Sequence, residues 1–256
     1  MVESESRRPA GTLTVGVLTP HVTPGPETEI PLMSSGHVAT VMSRVPLAEA
    51  GDAGSARQQL VASMRPDVVD RAAAALSGGC VDALAYASTS AGYAAGIEAE
   101  ASLLGRLQDR WAVPVVSSSL ATVRALRAYG LERVVLVHPP WFDDETSELG
   151  AGYFRSQGLD ARAVRADTLP NEPAEVQAAD VLEWVTRHLS DPGDAVFFGG
   201  NGFRTAAAVD ELERRTGRLV LSANQVLLWA ILTATASPLA VTAYGRLLRD
   251  RAPSRA

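Results

Sequence analysis

The chain contains no lysine, and all 23 of its basic side chains among 256 residues are arginines. Without a lysine amine, the protein cannot form a Schiff base with a carbonyl substrate or with pyridoxal phosphate, and it lacks the lysine of a Walker-type phosphate loop. The net charge of −6 and the absence of a basic stripe argue against nucleic acid as a partner. Lysine-dependent chemistry is therefore excluded, and a nucleic-acid-binding function is disfavoured.

Cysteine is nearly absent. The single cysteine, Cys80, precedes a predicted strand instead of following it, which is typical of a structural thiol rather than of a nucleophile. One cysteine excludes an intrachain disulfide and a mechanism that needs two thiols. The histidines show no His-x-x-x-His spacing and there is no Cys-x-x-Cys motif, so we predict neither a metal nor a cofactor; they are His21, His37, His138 and His188.

Long apolar runs are also missing. No run has the length that a membrane span requires, and the N-terminal segment carries no apolar signal region. We therefore expect a cytoplasmic protein without a membrane partner. The composition, with 46% apolar and 20% charged residues, is that of a globular chain large enough for one large domain or two small ones.

Short β-branched runs alternate along the chain with segments of helical period. Residues 12–19 predict the first strand, 20–27 a loop that three prolines exclude from a helix, and 37–45 contain a second strand. Residues 47–65 suit a flap or a loose helix. The alternation occurs twice with similar spacing, which predicts an α/β protein of two doubly wound, flavodoxin-like parallel-sheet halves related by a pseudo-twofold axis, with a cleft between them. We expect residues 1–118 and 226–256 in the first half and 119–225 in the second.

Two of the predicted strands end in small polar residues and glycines. Hydroxyl groups and first-turn N–H groups at such a strand-to-helix junction can hold an anion, most simply a substrate carboxylate. Two facing junctions would form one anion pocket, although the same residue types are common in ordinary turns. The residues are Ser88, Thr89 and Ser90 after the strand 83–87, and Gly200, Asn201 and Gly202 after the strand 195–198.

Five segments in order carry a wider pattern: Gly16-Val-Leu-Thr-Pro20, Ser88-Thr-Ser-Ala-Gly-Tyr93, Gly200-Asn-Gly-Phe-Arg-Thr205, Ser222-Ala-Asn-Gln-Val-Leu-Leu-Trp229 and Tyr244-Gly-Arg-Leu247. Together they resemble the aspartate/glutamate racemase superfamily, and within it the maleate isomerase and arylmalonate decarboxylase branch. The resemblance covers nearly the whole chain. It implies the two-half fold with the active site between the halves, a small carboxylate as substrate and, on the resemblance alone, a homodimer.

The chain departs from this family at its reactive positions. The resemblance implies that the two catalytic cysteines are replaced by Ser88 and Gly200, and neither residue can do the work of a thiol, because an unactivated hydroxyl is a much weaker acid and glycine has no side chain. The family's aromatic hydroxyl corresponds to Trp141. Its substrate-binding asparagines correspond to Thr23 and Asn171.

Two histidines are candidates for the missing proton transfer. His21 follows the first strand and His138 follows the fifth, so both lie on ligand-facing loops of the two-half arrangement, where an imidazole can transfer protons near neutral pH. Such loops also hold packed or solvated histidines. We predict catalytic roles for Ser88, His21 and His138, and substrate binding by Thr89, Ser90, Thr23, Trp141, Tyr93, Asn171, Gly200, Asn201 and Gly202.

Three functions are compatible with these residues. The first is a cysteine-free decarboxylase or other lyase acting on a small mono- or dicarboxylic acid, with a dioxyanion pocket that stabilises an enediolate. The second is a cis-trans isomerase or racemase in which histidine replaces cysteine. The third is a catalytically silent carboxylate-binding protein. Loss of carbon dioxide requires charge stabilisation but no cysteine base, so the sequence favours the lyase.

Overall fold

Two parallel sheets of four strands form the frame of the protein. The computed structural model describes residues 12–47, 54–76, 80–191 and 193–250. The first sheet has the order β2-β1-β3-β4 and the second the order β6-β5-β7-β8, so both follow one winding. The strands are β1 Leu13–Thr19, β2 Val38–Arg44, β3 Ala83–Tyr86, β4 Val115–Ser117, β5 Arg133–His138, β6 Asp160–Arg165, β7 Ala195–Phe198 and β8 Leu219–Ser222. The prediction of an α/β protein with two doubly wound halves is confirmed.

Helices connect these strands, as parallel pairing requires. They are α1 Pro26–Met33, α2 Ala56–Ser63, α3 Pro66–Ala74, α4 Thr89–Ala95, α5 Ile97–Trp111, α6 Ser118–Ala128, α7 Asp144–Arg155, α8 Ala178–His188, α9 Val209–Thr216, α10 Ala223–Ala234 and α11 Arg246–Asp250, with a 3₁₀ turn at Ala206–Ala208. The interior strands β3 and β7 and the edge strand β8 are buried at every residue, because helices cover both faces of each sheet. The carboxyl ends of the strands are therefore the places where polar side chains can gather.

One prediction for the first half is wrong in part. Residues 20–27 were predicted to form a loop because of their three prolines, but helix α1 begins at Pro26, inside this stretch. Pro26 stands at the first helical position, where its missing N–H would have no partner in any case. Pro31 lies in the last turn of this short helix. The stretch 47–65 contains the helix α2, while residues 48–53 lie outside the described ranges.

The two halves meet through helix α10. This helix follows the second sheet but packs against α1 and β4 of the first half, and against α6, which directly follows β4. The boundary predicted between residues 118 and 119, with 226–256 returned to the first half, stays a prediction. Within the described ranges, no helix is long and apolar enough to cross a membrane.

Candidate active site

A cleft of about 380 Å³ lies between loops that follow the carboxyl ends of strands from both sheets. Its volume is within the range of small-molecule sites. Loops after β1, β5, β6 and β7 line it, as expected for ligand sites in open α/β sheets. The predicted site residues that line it are His21, Thr23, Trp141, Asn171, Gly200, Asn201 and Gly202.

The predicted site residues at the end of β3, Ser88, Thr89 and Ser90, do not line the cleft, but Ser88 and Ser90 contact His21, which does. The Nε2 atom of His21 lies 2.9 Å from Ser88 Oγ and 3.3 Å from Ser90 Oγ, and these two oxygens are 3.3 Å apart. Ser88 is the N-cap of α4, where its Oγ accepts a hydrogen bond from the N–H of Ala91 at 3.2 Å. Both serines are buried, whereas His21 lines the cleft. We call His21, Ser88 and Ser90 the His21 cluster.

The loop that carries His21 is fixed at both ends. Arg44 donates to the carbonyl oxygen of His21 at 2.7 Å and forms an ion pair with Glu27 at 2.5 Å. Gly25 packs so closely on the second half that a Cβ atom there would overlap the carbonyl oxygen of Asn201. Burial, and secondarily the cation of Arg44, lower the pKa of His21 to about 4. The imidazole is therefore neutral at pH 7.

The two strand ends predicted to face each other are in direct contact. The N–H of Gly200, after β7, donates to Thr89 Oγ1, after β3, at 2.9 Å. Gly200 has a φ of +96°, in the left-handed region that side chains other than glycine rarely adopt. A Cβ atom on it would lie 3.2 Å from Pro139 Cγ. Glycine at this position thus follows from the backbone shape of the turn.

Asn201 belongs to a buried hydrogen-bond network that joins the halves. Its Nδ2 donates to Ser118 Oγ at 2.9 Å and to Asn224 Oδ1 at 2.8 Å. Asn224 Nδ2 donates in turn to the carbonyl oxygen of Asn201 at 2.9 Å and to Glu29 Oε2 at 2.7 Å. The other oxygen of Glu29 accepts from the N–H of Ala206 at 2.9 Å. We call these five residues the Glu29 network.

Sequence reasoning missed the role of Glu29, Asn224 and Ser118. Asn224 falls within one of the family-like segments, which was the available signal, but Glu29 stands alone in a proline-rich stretch. Burial raises the pKa of Glu29 to about 7, against the opposing hydrogen bonds from Asn224 and Ala206 and the cation of Arg204.

His138 and Tyr93 lie deeper than the cleft and do not line it. The centroids of these two rings are 5.6 Å apart, and the Phe142 ring lies 5.2 Å from that of His138, tilted by 40°. Neither ring nitrogen of His138 has a hydrogen-bond partner among the described residues. Gly150 and Gly199 leave the space that the imidazole fills. The structure thus brings His21, but not His138, to the hydroxyl groups.

The buried His138 predicts a stability change in acid. Burial lowers its pKa to about 3, so the unfolded chain, with a histidine pKa near 6.5, binds the proton first. Above about pH 6.5 His138 is neutral in both states and does not affect how stability depends on pH. As the pH falls from 6.5 towards 3, the folded state loses stability because only the unfolded chain binds the proton. We expect His138→Leu to reduce the pH slope of the unfolding free energy by about 1.4 kcal/mol per pH unit between pH 6 and pH 4.5.

Urea denaturation across that range measures the slope. His37→Leu is the matched control, because it makes the same change at an exposed histidine. An equal slope in wild type and His138→Leu would show that His138 is protonated in the folded protein.

Among the described residues, neither Cys80 nor a group of potential metal ligands forms a thiol or metal site at the cleft. Cys80 is exposed and precedes β3, whereas Ser88 follows it, so the thiol lies at the far end of the strand from the cleft. In the part of the chain that the structure describes, no three His, Cys, Asp or Glu side chains gather into a group suited to a metal ion.

Comparison with known proteins extends these observations. The family model described as arylmalonate decarboxylase matches residues 57–248, about three quarters of the chain. Arylmalonate decarboxylase of Bordetella bronchiseptica is 26% identical over 167 residues, covering 63% of this chain and 69% of that protein.

Solved structures with the same fold include two isomerases. The maleate isomerase Iso from Pseudomonas putida S16 has a TM-score of 0.79 at 23% identity, covering 94% of this chain and 99% of that one. A mutant of the Nocardia farcinica maleate cis-trans isomerase with a covalently bound succinylcysteine intermediate has a TM-score of 0.78 at 23% identity, with coverage of 94% and 99%.

Proposed function

The chain belongs to the arylmalonate decarboxylase family, and from this premise we propose that it is a cofactor-independent decarboxylase of a small dicarboxylic acid. The observation that carries the proposal is the His21 cluster, in which one neutral imidazole contacts two serine hydroxyls beside a cleft lined by both halves. This arrangement combines hydrogen-bond donors for an anion with a group that can relay a proton.

Donors from both halves would bind the carboxylate that stays on the substrate. Thr89 and Ser90 offer hydroxyl groups from the first half. The N–H of Gly200 already donates to Thr89, so the backbone donors of the second half are those of Asn201 and Gly202. Hydrogen bonds to a charged group are worth roughly 1.5–3 kcal/mol each, and four of them would hold a small acid.

The same donors would accelerate the loss of carbon dioxide. When the bond between the α-carbon and the departing carboxylate breaks, its electron pair moves into the remaining carboxylate and forms an enediolate. The charge on those two oxygens increases in the transition state, so fixed donors stabilise the transition state more than the bound substrate. No thiol, metal ion or organic cofactor is required for this step.

A proton must then reach the α-carbon. The enediolate is a strong base, so the neutral hydroxyl of Ser88 suffices as the donor, and the hydroxyl regains a proton from water through His21 Nε2. The neutral state of His21 suits this relay, since Nε2 can give its proton to the Ser88 oxygen while Nδ1 takes one from water, so the imidazole stays uncharged. His138 has no part in it, because its ring packs against Tyr93 and Phe142 and makes no hydrogen bond to Ser88 or Ser90.

A second candidate is an isomerase or racemase. The neutral His21 favours it, because an unprotonated imidazole can act as the base that a thiolate provides elsewhere. A cysteine adduct like that of the Nocardia farcinica mutant would need a thiol at the cleft, and Cys80 lies at the wrong end of β3. A catalytically silent carboxylate-binding protein is the third candidate.

The three candidates separate in one experiment. The protein is incubated in D₂O with phenylmalonate, methylmalonate, malonate and maleate, while carbon dioxide release and deuterium at the α-carbon are followed together. We expect release of carbon dioxide with one deuterium retained in the product, above the background of buffer alone. Exchange or isomerisation without carbon dioxide would replace the decarboxylase by the isomerase. Binding without either reaction would leave only the silent protein.

A further inference from the structure

The side-chain amide of Asn201, a residue that lines the cleft, has its nitrogen bonded and its oxygen free. The nitrogen donates to Ser118 and Asn224, whereas the buried Oδ1 has no hydrogen-bond partner among the described residues. Buried polar atoms are almost always paired in folded proteins. A free acceptor on a residue that lines the cleft therefore suggests that a ligand supplies the donor.

The orientation of the Asn201 amide follows from a series of hydrogen bonds that begins at Glu29. An ionised carboxylate only accepts hydrogen bonds, and Glu29 accepts from Ala206 and from Asn224. Asn224 Nδ2 faces two acceptors, Glu29 Oε2 and the carbonyl oxygen of Asn201, so its Oδ1 must face the Asn201 side chain. Asn201 must then present its own nitrogen to Asn224. The buried carboxylate of Glu29 and the carbonyl oxygen of Asn201 together determine which end of the Asn201 amide stays free.

We infer that Glu29 is a positioning residue that, through Asn224, keeps the side-chain oxygen of Asn201 free to accept a hydrogen bond from the ligand. The substrate class is accordingly narrowed to acids with a hydrogen-bond donor next to the bound carboxylate, such as a 2-hydroxyl group or a protonated second carboxyl group. This inference rests on the proposed function, because it concerns the same cleft and the same bound acid.

Replacing Glu29 by glutamine should reverse the whole chain of amides. The glutamine oxygen would accept from Ala206, and its NH₂ group would face Asn224. Asn224 would turn its oxygen towards that donor and its nitrogen towards the Asn201 side chain, and it would give up the hydrogen bond that its Nδ2 donates to the main-chain carbonyl oxygen of Asn201. Asn201 would then present its oxygen to Asn224, and the hydroxyl of Ser118 can turn to donate to it. The free end of Asn201 becomes a donor, so the ligand preference changes from donor to acceptor.

Protonation of Glu29 should reverse the amides in the same way without a mutation. A protonated carboxyl group carries an O–H that would face Asn224, as the glutamine NH₂ does. The groups that face Glu29 are the neutral amide of Asn224 on α10, the N–H of Ala206 and, at longer range, the cation of Arg204. With its pKa near 7, Glu29 is mainly ionised above neutral pH, where the site prefers a ligand that donates a hydrogen bond. This preference weakens as Glu29 is protonated below neutral pH. His21 does not interfere, because its pKa lies near 4.

Calorimetric titration with two acids tests the inference. Mandelate carries a 2-hydroxyl group, and phenylglyoxylate carries at the same carbon an oxo group that only accepts. At pH 8 we expect wild type to bind mandelate more tightly, and the ratio of the two affinities to fall by about tenfold or more in Glu29→Gln. In wild type the ratio should also fall from pH 8 to pH 6, while in Glu29→Gln it should stay constant.

Glu213→Gln is the matched control. Glu213 is another buried carboxylate, but it accepts from the N–H groups of Val220 and Arg246 and does not line the cleft. We expect wild-type selectivity in this variant, even if its stability decreases. An effect equal to that of Glu29→Gln would mean that general destabilisation, and not the amide chain, sets the selectivity.

Two results would overturn the inference without affecting the proposed function. One is the wild-type affinity ratio in Glu29→Gln. The other is a wild-type ratio that stays constant between pH 6 and pH 8, which needs no folded variant. Failure of wild type to bind either acid would also overturn it, since the cleft would then reject 2-substituted acids. The proposed function is decided separately, by carbon dioxide release from the malonate panel.

Discussion

Replacement of His21 by glutamine is expected to lower the kcat for carbon dioxide release by about 10²–10³-fold, within the usual contribution of a positioned proton-transfer group. A glutamine amide can still reach the hydroxyls of Ser88 and Ser90, but it cannot pass a proton from water to Ser88. Substrate binding should change much less, so KM should stay within a fewfold of wild type. Steady-state kinetics on the acid with the fastest release in the panel gives both constants.

His37→Gln is the control for His21→Gln. His37 is exposed at the start of β2 and does not line the cleft, so the same chemical change there should leave kcat unaltered. Retention of full kcat in His21→Gln would remove His21 from the proton path. Water in the cleft would then be the direct proton donor.

Replacement of Ser90 by alanine is expected to lower kcat/KM by about 10²–10³-fold. Its hydroxyl lies 3.3 Å from both Ser88 Oγ and His21 Nε2, so it is placed to donate to a carboxylate oxygen at the cluster. The loss of one oxyanion donor typically has this magnitude, because the donor acts most strongly on the charge that develops in the transition state. Measurement of kcat/KM with the same acid checks the value.

Ser43→Ala is the matched control for Ser90→Ala. Ser43 is also a buried serine, and its hydroxyl donates to the carbonyl oxygen of Ala72 at 2.7 Å, where β2 meets α3. The variant should lose about 1 kcal/mol of stability but no activity. Comparable kcat/KM values in Ser90→Ala and wild type would contradict the carboxylate pocket at the end of β3.

Local sequence pattern was sufficient for most of the frame. The strand β7 has the predicted bounds, 195–198, because an apolar run between turn residues leaves few choices. The end of β3 was also predictable, since Ser88 is followed by small residues that suit a helix start. Helix α1 was not, because its prolines act as breakers in most contexts and as a first helical residue in this one.

Contacts between distant segments were beyond local pattern. Glu29 meets Ala206 and Asn224, which lie 177 and 195 residues further along the chain, and no periodicity of the proline-rich stretch announces this. The two loop histidines looked equivalent by position. They differ because Gly150 and Gly199 make room for His138 in the core, whereas Arg44 holds the loop of His21 at the cleft.

The backbone conformation at Gly200 makes the second half less suited than the first to an engineered thiol. A cysteine introduced at position 200 would be strained by about 1–2 kcal/mol in the left-handed turn before any reactivity appeared. Ser88, in contrast, has an extended backbone with a φ of −157°, which accommodates any side chain. Attempts to evolve thiol chemistry in this scaffold should therefore start at the end of β3, and a route that requires two thiols would first have to reshape the main chain after β7.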